Sequence, residues 1–347
     1  MSARIKDVAR HADVSSATVS RVLSNKPHVS EKARRRVLAA MEELDYQPSR
    51  VARSLRVQRS RIIGLIISDI QNPFFNTLAR AVEDLAYAHQ YAVFLCNTDE
   101  DIEREKLYID LMQAERVAGV MISPTQETNN SCQKLTKANV PVVMIDRGIA
   151  GLDVDTVVVD NVAGAYDLVA HLIDDGHRRI GAVLGTPTAT TGRERYEGYV
   201  QALTAHGLPV SPELLRTGIP KKVVGYKLVG DLLDLADPPS AVFTGNNLLT
   251  EGALRAIHDR RLRIPDDIAL VAFDELDWMA LVKPALTVVT QPTYKLGQAA
   301  ADLLLKRIEG SAHAPQKIVF KPDLVVRQSC AHHPEEQPYA VEPVVVS

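Results

Sequence analysis

Between residues 14 and 23 the chain reads Val14-Ser15-Ser16-Ala17-Thr18-Val19-Ser20-Arg21-Val22-Leu23, small hydroxyl and methyl side chains followed by one arginine. A helix with this small-residue face suits the floor of a DNA major groove, where a bulky apolar face would not fit. The preceding run, Ile5-Lys6-Asp7-Val8-Ala9-Arg10-His11-Ala12, puts Ile5, Val8, Ala9 and Ala12 on one apolar stripe. The two runs read as a short helix, a tight turn and a second helix near 16–23, with Ser15 as its cap. Such a pair buries little by itself and leaves the second helix an outward face. The competing reading is an ordinary helical hairpin at the start of an enzyme.

Charge separates these readings. The whole chain of 347 residues is nearly neutral, with 40 Lys and Arg against 43 Asp and Glu. Residues 1–61 hold 14 basic and 6 acidic side chains, a net of +8, and the remainder holds 26 and 37, a net of −11. A basic segment on an acidic body is the footprint of phosphate binding confined to one end. The length allows two or three domains with full cores. Cys96, Cys132 and Cys330 are odd in number and widely spaced, without metal-ligand or disulfide spacing. They read as buried small hydrophobes in a reducing cytoplasm. The amino terminus is polar and lacks an apolar signal core, and no apolar run approaches the roughly 18 residues of a membrane span. No cofactor, metal site or membrane is expected, and the location is cytoplasmic.

The elements that position these groups follow from periodicity. A third helix starts at Ser30-Glu31 and carries Val37, Leu38, Met41 and Leu44 as its apolar stripe; Tyr46-Gln47-Pro48 closes the module. From Arg61 the texture changes. Apolar strands at 62–67, 91–95, 119–122 and 140–143 alternate with helices at 76–89, 101–115 and 129–138. A second set follows: helix 163–175, strand 180–184, helices 193–206 and 224–236, strand 241–244, helix 248–260 and strand 268–273. A helix near 294–309 and a strand at 317–324 complete it. Near-continuous apolar strands between helices mean parallel sheets covered on both faces. The fold class is therefore α/β, with an all-α amino-terminal module and two doubly wound lobes. The divisions are 1–48 for the helical headpiece, 49–61 for a hinge, and 62–330 for the body. Lobe 1 takes about 62–160 and 292–321, lobe 2 about 161–291 and 322–330. Residues 331–347 read as a flexible tail, in which His332-His333 is only a weak metal hint.

The order and spacing of several motifs together resemble the bacterial LacI/GalR transcriptional regulators over about residues 3–330. The motifs are Ile5-Lys6-Asp7-Val8-Ala9, the Ser15–Leu23 run, Asn72-Pro73-Phe74-Phe75, Asp146-Arg147 and Val159-Asp160-Asn161. To these are added His171-Leu172-Ile173, Gly176-His177-Arg178-Arg179-Ile180, Pro284-Ala285-Leu286-Thr287-Val288 and Gly297. The resemblance implies a helix-turn-helix headpiece, a hinge helix and a body like the periplasmic sugar-binding proteins. It also implies a homodimer on a near-palindromic double-stranded operator, with a tetramer possible. Ser16, Ala17 and Arg21 fall at the family's base-reading positions, and Arg21 can give two hydrogen bonds to a guanine edge. Ser15, Ser20, Asn25, His28 and Ser30 fall to phosphate and backbone contacts that set register. Thr18, Arg50, Ala52 and Arg53 complete the candidate DNA contacts with Leu55, which sits where the family places a hinge leucine that wedges a central base step. Ser49 stands where the family commonly has Asn.

By the same resemblance the effector site comprises Asn72, Phe74, Phe75, Asp146, Arg147, Arg195, Asn246, Asp274 and Gln291, at strand or loop ends where open parallel sheets bind ligands. The phenyl rings can pack the C–H faces of a sugar. Asp146 and Asp274 can accept from hydroxyls, Arg147 and Arg195 can donate, and the amides can do both. The set resembles ribose-binding periplasmic proteins, which makes a pentose such as ribose the expected effector. Two departures stand out: Asn247 where the family usually has Asp, and Pro220 near an expected aromatic ring. Some of these charges, Arg147 above all, can instead be inter-lobe salt bridges.

Three function classes compete. The first is a repressor released from its operator by a small sugar, with a corepressor binding a purine or another sugar as its variant of opposite sign. A transport-binding protein would need an export signal and has no use for the headpiece. A nucleotide-dependent enzyme would want Gly-x-Gly-x-x-Gly after the first strand, where the chain has Ser68-Asp69-Ile70-Gln71-Asn72-Pro73. No catalytic residue is assigned.

Overall fold

The computed structural model describes residues 4–23, 29–46, 60–129 and 131–330. They fall into two compact units, residues 1–60 and 61–347. Among the sequence expectations, Asn25, His28, Ser49, Arg50, Ala52, Arg53, Leu55, the 331–347 tail and His332-His333 lie outside the described residues.

In the first unit, α1 (Ile5–His11), α2 (Ser16–Leu23) and α3 (Glu31–Glu43) enclose a small core of Val8, Ala9, Ala12, Val19, Val22, Val37 and Ala40. Asp13 turns the chain between α1 and α2 at φ 49°. Arg36 of α3 fixes that turn: its Nε donates to the Ala12 carbonyl at 2.8 Å, and its guanidinium meets the Asp13 carboxylate at 3.0 Å. Ser15 Oγ accepts the Thr18 amide at 3.1 Å, and Ser30 Oγ accepts the Ala33 amide, so both hydroxyls cap their helices. Leu38, expected on the inner stripe of α3, is 52% exposed; Ala40 takes the buried position instead.

The second unit contains two six-stranded sheets. Lobe 1 is built from β1 (Ile62–Ile67), α4 (Pro73–Ala88), β2 (Ala92–Asn97), α5 (Ile102–Ala114), β3 (Gly119–Ile122), α6 (Gln133–Lys137), β4 (Val142–Ile145) and β5 (Asp155–Val159). The chain then crosses to lobe 2: α7 (Asn161–Asp174), β6 (Ile180–Leu184), α8 (Thr190–Ala205), β7 (Leu215–Thr217), α9 (Lys222–Leu233), β8 (Ala241–Thr244), α10 (Asn247–Asp259), β9 (Ala269–Phe273) and β10 (Thr287–Thr290). It returns through α11 (Thr293–Ile308) and β11 (Lys317–Phe320) to lobe 1, and β12 (Asp323–Val325) crosses back. The sheet orders are β11-β5-β4-β3-β1-β2 and β12-β10-β9-β8-β6-β7, and among the described residues only β12 runs antiparallel to its neighbour. The single strand expected over 317–324 is therefore two strands in different sheets, split by Lys321-Pro322. The helix expected over 129–138 is confined to 133–137. Strands β5, β7 and β10 were not anticipated.

The central strands of both sheets are buried on both faces, as their apolar runs require. Each fully buried Leu or Ile there stabilises the fold by about 1.5–3 kcal/mol. Each order reverses once, beside β1 in lobe 1 and β6 in lobe 2, and these reversals open crevices at the carboxyl ends of the strands. The lobes bring those two crevices face to face. Among the described residues, no helix is long and apolar enough to cross a membrane.

Candidate functional site

The headpiece presents Ser15, Ser16, Ala17, Arg21 and Ser30 to solvent, with Thr18 half-buried. Ser20 differs from its expected role as a phosphate contact: it is buried at 8% exposure, on the side of α2 that faces the core. Position 20 lies one turn from Ser16 but on the seam with Val19, and burial takes its hydroxyl away from a backbone. The two capping hydroxyls, Ser15 and Ser30, stay exposed and can serve both purposes.

In the body, all nine expected cleft residues line one cavity with about 420 Å³ of unfilled space, part of it open to solvent. Each is placed by the end of a strand or the start of a helix. Asn72 caps α4: its Oδ1 accepts the Phe74 amide at 2.9 Å and also the Asn247 Nδ2 of the opposite lobe at 2.8 Å. Phe74 and Phe75 follow in the first turn, with ring centroids 5.1 Å apart at 85°. Asn246 caps α10 by accepting the Leu249 amide at 2.9 Å.

The two aspartates share one device. Asp146 follows β4 at φ 68° and Asp274 follows β9 at φ 75°. Their amides donate to Val157 and Val289 carbonyls of the neighbouring strands, each at 2.9 Å. A left-handed residue at a strand end turns its side chain into the crevice, and Asp tolerates that backbone at low cost. Asp146 also accepts from Ser123 Oγ at 3.1 Å, and Asp274 accepts from Gln291 Nε2. Burial raises the Asp146 carboxyl above the usual carboxylate range, against the downward pull of Arg147 and Arg195.

The arginines differ from each other. Arg195, on α8, lies with its guanidinium carbon 3.7 Å from the centroid of the Phe273 ring. Its Nε donates to Asn161 Oδ1 at 3.0 Å and its Nη1 to the Gly245 carbonyl. Burial lowers its proton affinity, opposed by Asp274 and Asp146. Arg147 was expected as a ligand donor or as half of an inter-lobe bridge. It is instead paired within lobe 1: Nη1 and Nη2 donate to the two Glu100 oxygens at 2.8 and 2.7 Å. Burial works against its charge, but Glu100, Asp146 and Glu105 together outweigh burial and raise the proton affinity. Its buried Nε makes no hydrogen bond and lies 3.5 Å from Asp146 Oδ2.

Five further residues line the cavity: Gly185, Thr191, Gly192, Pro220 and Gly245. Sequence reasoning singled out only Pro220. Gly185 and Gly245 directly follow β6 and β8, and a glycine at a strand's carboxyl end beside the reversal point was the available signal. A Cβ on Gly192 would lie 2.2 Å from the Thr186 carbonyl, so only glycine lets α8 start this close to the cleft. Lobe closure rests on groups that no short motif reveals: Lys221 Nζ with Asp69 at 2.7 Å and with Asp99, and Arg193 Nε with Glu127 at 2.9 Å.

Residues 60–326 match the family model for periplasmic binding proteins and the sugar binding domain of the LacI family, and residues 4–49 match that for bacterial regulatory proteins of the lacI family. The HTH-type transcriptional repressor PurR of Pasteurella multocida (strain Pm70) is 34% identical over 328 residues, covering 94% of this chain and 98% of PurR. Among solved structures, a putative ribose operon repressor from Burkholderia thailandensis is 36% identical with a TM-score of 0.71, covering 77% of this chain and 99% of its own. The Lac repressor dimer bound to operator and the anti-inducer ONPF is 28% identical with a TM-score of 0.79, covering 95% of this chain and all of its own.

Proposed function

Because the chain belongs to the LacI family of bacterial regulatory proteins and is a DNA-binding transcriptional repressor rather than an enzyme, we propose that a small sugar, a pentose such as ribose, binds between its lobes and releases it from its operator. The observation that carries the effector class is the pair of buried carboxylates, one at a strand end of each lobe, beside Arg195 and the Phe74 ring. A polyol supplies several hydroxyl donors to such a pair, and exclusion of water makes each bond strong. The structural relative named as a ribose operon repressor agrees with this class.

Ligand contacts to both lobes hold them at one mutual angle. Release follows if the sugar binds the operator-free form better, a coupling of about 1–3 kcal/mol or 5–150-fold. Two copies act together on a palindromic operator. Tyr87, Phe94 and Leu95 in lobe 1 and Val223 and Leu281 in lobe 2 are exposed apolar residues that a second copy would cover.

The test is titration of the repressor and a selected palindromic duplex with ribose, other pentoses, hexoses and free purine bases, read by fluorescence anisotropy. Ribose is expected to weaken operator binding. A specific observation supports a second reading: relatives over nearly the whole chain are named PurR. It makes the ligand a purine corepressor, stacked against Phe74, that strengthens binding. Inert sugars together with a purine-dependent gain would establish it. For the headpiece, Arg21→Ala should cost about 1–3 kcal/mol at one operator base pair; a uniform loss across sequences would reduce Arg21 to a phosphate contact.

A further inference from the structure

Outside the cleft, His171 and Asp175, one turn apart at the carboxyl end of α7, meet Cys330, which is 159 residues away from His171 in sequence. His171 Nε2 lies 3.1 Å from Cys330 Sγ and 3.3 Å from Asp175 Oδ2, so a single ring nitrogen faces the thiol and the carboxylate together. The three ligand atoms lie within 4.8 Å of one another. The side chains are 15% and 10% exposed for His171 and Asp175, and Cys330 is fully buried. We propose that this cluster binds zinc or a similar borderline divalent cation through His171 Nε2, Asp175 Oδ2 and Cys330 Sγ, with water in a fourth position.

The donor set selects the ion. Thiolate, imidazole and carboxylate together suit Zn(II) and Co(II), whereas Mg(II) and Ca(II) favour shells made of oxygen. Distances agree as well. Tetrahedral bonds of about 2.1 Å to nitrogen, 2.0 Å to oxygen and 2.3 Å to sulfur imply separations of about 3.4 Å for N···O and 3.6 Å for N···S. The N···O separation already fits, and the sulfur needs to withdraw by about half an ångström. On binding, the Sγ–metal bond replaces the S–H bond and the proton leaves to solvent. Thr287 Oγ1, 3.1 Å from Sγ, is placed to donate to the thiolate. The metal would tie α7 to the segment after β12, which is already bonded to β9 and β10: Ser329 Oγ donates to the Leu270 carbonyl and Thr287 Oγ1 accepts the Arg327 amide. An ordinary histidine–carboxylate pair with a thiol hydrogen bond would share this arrangement but would have no metal affinity.

The untagged full chain, stripped of metal, is titrated with Co(II) alone. The expected result is one equivalent per chain, with a near-ultraviolet thiolate-to-cobalt charge-transfer band that Zn(II) removes. Cys330→Ser should abolish the band, and Cys132→Ser should leave it intact. Because Cys330 is buried in the lobe 2 core, His171→Asn serves as a second variant, with its fold checked by operator binding; it should weaken Co(II) at least about tenfold. Absence of the band in the native chain, or its survival in both Cys330→Ser and His171→Asn, overturns the proposal.

Discussion

The two walls of the cleft repeat one backbone device and then diverge. Asp146 and Asp274 end their strands in the same left-handed conformation, with the same amide-to-strand bond. The next residue is Arg147 in lobe 1 and Glu275 in lobe 2, and each has an ion-pair partner of opposite charge, Glu100 and Arg327. Both arginines are buried, at 7% and 6% exposure, but Glu100 is 9% exposed and Glu275 26%. Lobe 2 takes its guanidinium from α8 instead, as Arg195. A strand-end carboxylate is thus a local feature, while the cation beside it is supplied wherever the tertiary structure allows.

The comparison is broken most forcefully at the ion pairs. Glu100→Ala strands a buried guanidinium and should cost about 3–5 kcal/mol of stability. Glu275→Ala strands an equally buried guanidinium, that of Arg327, but removes a carboxylate that is itself 26% exposed, so it should cost somewhat less. Urea denaturation of the two variants checks the difference, and equal losses would mean the walls are not asymmetric. Of similar size is the effect of the carboxylate itself. Asp274→Ala should remove two charge-assisted hydrogen bonds to the effector, about 1.5–3 kcal/mol each, and so lower its affinity by roughly 100-fold or more. Operator binding should remain nearly intact. Calorimetry with the effector and anisotropy with the duplex separate the two effects; loss of both would assign Asp274 to folding.

The same contrast explains what the sequence could and could not disclose. Apolar runs such as Ile62–Ile67 and Ile180–Leu184 mark buried strands because parallel strands hide both faces. Asp146, Asp274, Asn72 and Asn246 were legible because strand ends and helix caps are local. Strand β7 was missed because it has only three residues; β5 and β10 are no shorter than β3 and β8, but each lies where the chain is about to cross between lobes, outside the regular strand–helix alternation. The Glu100 clamp on Arg147 was not legible, since it joins residues 47 apart and only the folded sheet makes them neighbours. Ser20 failed for a related reason: its hydroxyl matched the pattern, but its position on the α2 seam put it inside.

A smaller effect tests how the walls are latched together. Asn247 Nδ2 donates to Asn72 Oδ1, whose orientation is set by the Phe74 amide. Asn247→Asp would set a carboxylate oxygen against that acceptor. The closed cleft should be disfavoured and effector affinity lowered by about 1–2 kcal/mol. Unchanged calorimetric affinity would show that Asn72 turns its amide and that closure does not depend on this bond.

The smallest effect lies in the pH dependence of the lobe 1 wall. Burial raises the Asp146 carboxyl, while Arg147 and Arg195 pull it down and Asp274 pushes it up; Ser123 donates to it. Among the described residues no histidine lines the cavity, so titration there reports a carboxylate. A raised folded-state pKa contributes stability that is full below the unfolded Asp value and is lost as pH rises through the folded value. Acidification therefore favours the effector-free body through this group. Effector hydroxyls bind the ionised form and lower its pKa, so the complex holds fewer protons and affinity falls as pH drops through the raised value. One proton limits the slope to about 1.4 kcal/mol per pH unit. Calorimetry from neutral pH downward should show effector affinity declining before the ordinary Asp range is reached. Asp146→Asn, weaker at every pH, should lack that decline; a decline that persists in the variant would remove Asp146 as its source.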